Sequence, residues 1–165
     1  MTDARRLTRI AELTALSLAL FVLEAQLPVP FLAPGAKLGL ANIVTCAALV
    51  LLPRERDAAY MLLARIALAS LFGGGPIVCL YSLAGGLLSF AAMCALLRTE
   101  RFSLPAVSAA GGFFHHVGQL LCGAALAASP GLLTYLSVLG PLGLATGLLT
   151  GFAASAVLRR LPRQG

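Results

Sequence analysis

At 165 residues the chain has the length of one domain, but its composition excludes a soluble one: 59% of residues are hydrophobic and 11% charged, against roughly 25% charged in soluble domains. Mean hydropathy is +0.94. The formal charge of +6 comes from basic residues set between apolar runs, with no basic face interleaved with aromatics, which excludes a nucleic-acid partner.

Six apolar segments follow one another, approximately 7–27, 38–52, 58–72, 76–97, 104–128 and 132–158. Crossing a ~30 Å hydrocarbon core takes about 20 helical residues. None of the six alternates with period two, so helices rather than a barrel must satisfy their backbone in lipid. The expected fold class is therefore all-α, a single polytopic membrane domain of six transmembrane helices spanning residues 1–165.

The first segment follows Arg5, Arg6 and Arg9 and runs into Glu24 without a small-x-small cleavage site, so it reads as a retained helix rather than a signal peptide. On it Ala11, Ala15 and Ala19 recur every fourth residue, a spacing that lets a neighbouring helix approach closely, either from the same bundle or from a partner protein. The stretch Glu24–Asn42 then breaks the apolar pattern with Pro28, Pro30, Pro34, Gly35 and Lys37, the chain's only lysine. Pro53 and the charges of residues 54–57 close the second segment. The third carries Arg65 near its middle and ends at Gly73, Gly74, Gly75 and Pro76.

The fourth segment carries Tyr81 and Ser82 and ends at residues 98–101. The fifth carries His115, His116 and Gln119 and ends at Ser129, Pro130 and Gly131. Tyr135 begins the sixth, where Gly143, Gly147, Gly151 and Ser155 form a second small-residue stripe, expected to pack within the molecule. Gly140 and Pro141 are expected to break or kink that helix. The four cysteines stand singly in apolar runs and read as buried, unpaired thiols.

Of the twelve basic residues, all but Lys37 and Arg65 fall before or at the start of the first segment, after the sixth, or in the second and fourth connections. The positive-inside rule then puts both termini in the cytoplasm and the Glu24–Asn42 loop outside an inner (cytoplasmic) membrane crossed several times. Under that topology Glu24, Asn42, Arg65, Tyr81, Ser82, His115, His116, Gln119 and Tyr135 all lie at mid-depth or outward. Charges inside a membrane face protein or water and mark function, so this one-sided set predicts an outward-open solute site. His115 and Gln119 share a helix face while His116 points about 100° away, so one histidine, not both, is expected in the pocket. Several members also have structural readings: Glu24 as an ion pair with Lys37 or Arg65, Asn42 and Gln119 as interhelical bridges, Tyr81 and Tyr135 as interfacial aromatics. Lys37, Arg65 and the histidines outnumber Glu24, which leans towards a solute bearing a carboxylate or phosphate.

No catalytic constellation is legible. There is no Walker motif, no Cys/His cluster with metal spacing, and no cofactor fingerprint. The only aspartates, Asp3 and Asp57, fall at the cytoplasmic side, so no paired carboxylates are available for a Mg²⁺-diphosphate.

The stretches EAQLPVPFLAPGAKLGLANIVT, LLARIALASLFGG, YSLAGGLLS, GGFFHHVGQL and TYLSVLGPLGLATG together resemble the Gx transporter family, also called heptaprenyl diphosphate synthase component I. That family is similar to the substrate-binding S components of energy-coupling factor transporters, which take up vitamins. The resemblance implies an S-component-like fold, a pocket gated by the loop 28–37, and docking of Ala11, Ala15 and Ala19 onto a transmembrane coupling subunit that works with cytoplasmic ATPases. It marks Glu24, Pro34, Gly35, Lys37, Gly39, Asn42, Arg65, His115, Gly118 and Gln119. Two departures stand out: His116 replaces a common Asn, and residues 30–33 lengthen the loop. The synthase label instead implies a non-catalytic membrane accessory of prenyl diphosphate or quinone synthesis.

Overall fold

The structure, a computed structural model, describes residues 3–26 and 39–160. Lys37, Pro28, Pro30, Pro34 and Gly35 lie outside the described residues. Six helices account for most of what is described: α1 (Asp3–Gln26), α2 (Leu40–Leu51), α3 (Glu55–Ala69), α4 (Gly75–Leu97), α5 (Leu104–Leu126) and α6 (Leu136–Arg160). There is no strand among the described residues. A π turn at Ser70–Gly74 joins α3 to α4 through Gly75 at φ 67, a backbone geometry that a side chain would strain.

Two of these helices meet the length and apolarity needed to cross a membrane: Gly75–Leu97, and Pro130–Arg160 taken with its entry turn. α2 is apolar but short, with 12 residues. Of the expected break or kink at Gly140 and Pro141, the break is absent, because α6 runs through Pro141 as one helix. A proline at this position removes one backbone hydrogen bond of the ladder. The irregularity falls earlier, as a 3₁₀ turn at Pro130–Tyr135.

The helices close a ring in the spatial order α1, α2, α6, α5, α4, α3 and back to α1, with α2 also touching α3, α4 and α5 across the interior. Register follows from close approaches. Gly112 sits on the backbone of Gly143, Ser108 and Ala109 on Gly147, and Pro105 on Gly151, so α5 and α6 run antiparallel with the small stripe of α6 buried between them. Gly118 likewise abuts Ala84, and Gly111 abuts Met93, which sets α4 antiparallel to α5.

These registers gather the starts of α1, α3 and α5 and the ends of α2, α4 and α6 at one end of the ring. That end holds every described arginine except Arg65 and is fastened by ion pairs. Arg6 donates to both oxygens of the fully buried Asp57, at 2.9 and 2.6 Å. Arg98 donates to both oxygens of Glu55, at 2.9 and 2.5 Å. These hydrogen bonds hold the Glu55 carboxyl below its ordinary range.

The apolar core fills this same half, in two clusters around Val44, Ala48, Leu52, Ala58 and Met61 and around Cys46, Met93, Val107 and Ala154. All four cysteines are free thiols; Cys46 and Cys94 are buried, whereas Cys79 and Cys122 are only half-buried. Elsewhere the usual ordering is inverted. Ser17 and Ser108 are fully buried while Phe72 and Leu149 are 76% and 68% exposed. An exterior this apolar is suited to hydrocarbon rather than water.

Candidate functional site

The opposite half of the ring is not filled. Where α1 ends and α2 begins, the two helices are tied by Glu24. Its carboxylate accepts from the backbone N–H groups of Gly39 at 2.7 Å and Leu40 at 3.0 Å. Gly39 is left-handed at φ 77 and, as the residue capping α2, has no side chain of its own to offer. A carboxylate at that position satisfies two free helix donors and complements the positive end of the helix dipole. Ser17 adds a second tie, donating to the Ala41 carbonyl at 3.4 Å.

Behind this junction lies a cavity of about 60 Å³, to which every helix contributes. α1 brings Phe21 and Glu24, α2 brings Asn42 and Thr45, and α3 brings Arg65. α4 brings Ser82 and Ser89, α5 brings His115, His116 and Gln119, and α6 brings Thr146 and Thr150. Close packing around glycines holds several of these side chains in place. A Cβ on Gly85, for example, would lie 2.9 Å from the Gln119 side chain and 3.0 Å from the His115 ring. Arg65 is 6% exposed and places its guanidinium 5.6 Å from the Phe21 ring centroid, a cation–π arrangement. Among the described residues it forms no ion pair within salt-bridge distance. The field of Glu24 reaches it nonetheless.

The described residues contain three buried side-chain polar atoms without a hydrogen-bond partner: Arg65 Nε, Ser89 Oγ and His116 Nδ1. All three residues line this cavity. Buried polar groups are almost always paired, and an orphan costs about 1–3 kcal/mol. Three cavity-lining residues that each hold a buried, unpartnered atom mark this region as a place where a polar partner binds.

Seven residues of the one-sided polar set thus meet in one cavity: Glu24, Asn42, Arg65, Ser82, His115, His116 and Gln119. The expectation that only one histidine would face the pocket is corrected, since both line it. The ring centroids are 6.1 Å apart at 77°. Gly85 of α4 lies against His115 and Gly143 of α6 against His116. Tyr81 is packed against Gly123 and Tyr135 is 55% exposed; neither lines the cavity. Ala11, Ala15 and Ala19 face outward from α1. Among the described residues no group of three or more His, Cys, Asp or Glu is placed to hold a metal ion.

The sequence reading missed Phe21, Thr45, Ser89, Thr146 and Thr150. A signal for some of them existed. Ser82, Gly86 and Ser89 recur at i, i+4 and i+7, and Gly143, Thr146, Gly147 and Thr150 recur at i, i+3, i+4 and i+7, each marking one small, polar helix face.

A family description, heptaprenyl diphosphate synthase component I, matches residues 13–157, and the chain belongs to that family. No curated protein and no solved structure matches it.

Proposed function

We propose that this chain is the solute-binding subunit of a membrane importer, S-component-like, holding a small polar molecule in the cavity. The observation that carries the reading is that Arg65, Ser89 and His116, which line one cavity, each hold a buried polar atom without a partner. The apolar exterior and the gathering of arginines at the far end support a membrane domain with cytoplasmic termini and a cavity half that faces outward. In this reading Glu24 holds the junction of α1 and α2 closed, and the loop bearing Pro28, Pro30, Pro34, Gly35 and Lys37 is the gate. Ala11, Ala15 and Ala19 are the face offered to an energy-coupling transmembrane subunit and its ATPases. A vitamin-sized solute requires α2 or the loop to move, because the cavity is under half of the roughly 150 Å³ that accommodates benzene.

The family's description favours a second reading, a non-catalytic accessory of prenyl diphosphate or quinone synthesis. Deletion of the gene separates the two. The importer reading expects loss of solute uptake with prenyl transferase activity intact; the accessory reading expects the reverse. On the purified protein, mass spectrometry should find a co-purifying small molecule that is lost in Asn42→Ala and His115→Ala. A cavity empty in every preparation, with no thermal shift across vitamin and isoprenoid panels, refutes solute binding. Pull-down of a coupling subunit should be lost in Ala15→Leu while its unfolding midpoint stays that of the wild type.

A further inference from the structure

The cavity's charge and size constrain what it takes. Arg65 is a buried cation, and the only described carboxylate lining its cavity is Glu24. Both Glu24 oxygens are already engaged by the amides of Gly39 and Leu40. The connection 27–38 contains no Asp or Glu in its sequence, so it brings no further acid to the site. The positive end of α2 offsets much of the Glu24 charge, which leaves the guanidinium only partly compensated. Glu24, Arg65, His115 and His116 are the ionisable groups that line it. Isolated buried charges are costly and are ordinarily paired.

The unpartnered atoms add direction. Arg65 Nε can only donate; Ser89 Oγ can donate, and His116 Nδ1 donates in one tautomer. A cation with its own free donor and two further groups able to donate beside it suit a solute atom that accepts. A volume of about 60 Å³ has room for a group of about four to six non-hydrogen atoms, taking 10–15 Å³ for each water-sized unit. We propose, resting on the solute-binding reading above, that the cavity is an oxyanion site. It holds the carboxylate or phosphate head of the solute, with Arg65 as counter-charge and Ser89 and His116 as hydrogen-bond donors, and the remainder of the solute extends out of the enclosed space.

The test is thermal unfolding of the detergent-purified wild type in chloride buffer, titrated separately with inorganic phosphate, acetate and acetamide, the last a neutral match for acetate. A saturable rise in melting temperature with phosphate or acetate, and none with acetamide, is expected; which of the two anions acts tells a phosphate head from a carboxylate. Arg65→Gln should weaken that anion's Kd at least about tenfold, Arg65→Lys less, and Ser89→Ala should weaken it without removing the preference for charge. If acetamide stabilises as well as acetate, or if Arg65→Gln and Arg65→Lys both retain wild-type anion affinity, the oxyanion assignment is overturned while solute binding stands. If no probe of either charge binds and no small molecule co-purifies, both readings fail. Should Arg65→Gln not fold, the wild-type comparison of acetate with acetamide and the Ser89→Ala titration decide the question.

Discussion

Replacing Glu24 by alanine removes the acceptor for two backbone donors at once, the N–H groups of Gly39 and Leu40. An orphaned donor costs about 1–3 kcal/mol when it is fully buried. Both residues are half-buried, so water recovers part of that cost. The pair is therefore expected at about 2–3 kcal/mol, slightly above the ~2 kcal/mol upper range for the loss of an ordinary helix cap. Glutamine keeps one acceptor, places an NH₂ against the second donor and removes the charge that complements the helix dipole, so about 1–2 kcal/mol is expected there.

Two measurements check this. Equilibrium unfolding of the detergent-purified protein should rank wild type above Glu24→Gln above Glu24→Ala. Hydrogen exchange at Gly39 and Leu40 should accelerate about 30-fold in Glu24→Ala if local opening costs ~2 kcal/mol less, at 1.4 kcal/mol per tenfold. A Glu24→Ala protein with the wild-type midpoint and unchanged exchange at those two amides refutes the capping role. If that same protein has lost its solute, Glu24 is read by the solute and not by α2.

Four further outcomes rest on individual contacts. Gly112→Ala directs a Cβ onto the Gly143 carbonyl oxygen, with the Gly147 Cα 3.3 Å away, so neither neighbour can rotate aside and unfolding should be easier by about 1–3 kcal/mol. Gly131→Ala, whose nearest neighbour is the Ser129 hydroxyl at 3.8 Å, should match wild type. Asp57→Ala should lower the unfolding midpoint more than Glu55→Ala, because Asp57 is fully buried whereas the Glu55 side chain is 38% exposed; the opposite order would contradict that account. Arg98 holds the Glu55 carboxyl below its ordinary 4.5, so the pair stabilises above that pH and loses its effect as pH falls through the lower folded value. The gap between wild type and Glu55→Gln should accordingly close in acid, and should shrink near 1 M salt, where the screening length is about 3 Å.

The helices were legible because apolar runs and their Gly, Pro and Arg punctuation act locally. α5 begins at Leu104 as expected, and α4 ends at Leu97. The entry to α6 was less legible, since Pro130–Tyr135 is apolar enough for helix and only the geometry of the turn makes it 3₁₀. Charged and amide residues of the cavity stood out because hydrocarbon does not tolerate them. Apart from Ser82, its hydroxyls did not, because a Ser or Thr in a helix usually satisfies itself on its own backbone, as Thr14 does on Ile10 and Ser155 on Gly151. Only the register between helices shows that Ser89 is left unsatisfied. The Glu24 cap was hidden for a similar reason: carboxylate and amides are separated by 15 residues of chain, and nothing in the local sequence names the amides as its partner.

The two ends of the ring spend their polar groups differently. At the arginine-rich end both Asp57 oxygens and both Glu55 oxygens are bonded, and the apolar core lies directly behind them. At the cavity end three buried atoms are unsatisfied, each at a cost of about 1–3 kcal/mol. A partner that satisfies them returns part of that cost only to the half where it binds. At a hundredfold excess over its Kd, one ligand stabilises the folded state by about 2.7 kcal/mol. Local opening around the cavity should become rarer by a corresponding factor. Hydrogen exchange should therefore slow on ligand addition across residues 39–45, 82–89 and 112–119, and stay unchanged across 55–61, where Asp57 and Met61 are already buried and the carboxylate already paired. Uniform slowing along the whole chain would instead mean that the ligand stabilises the bundle globally, and that the cavity half has no separate opening for a solute to exploit.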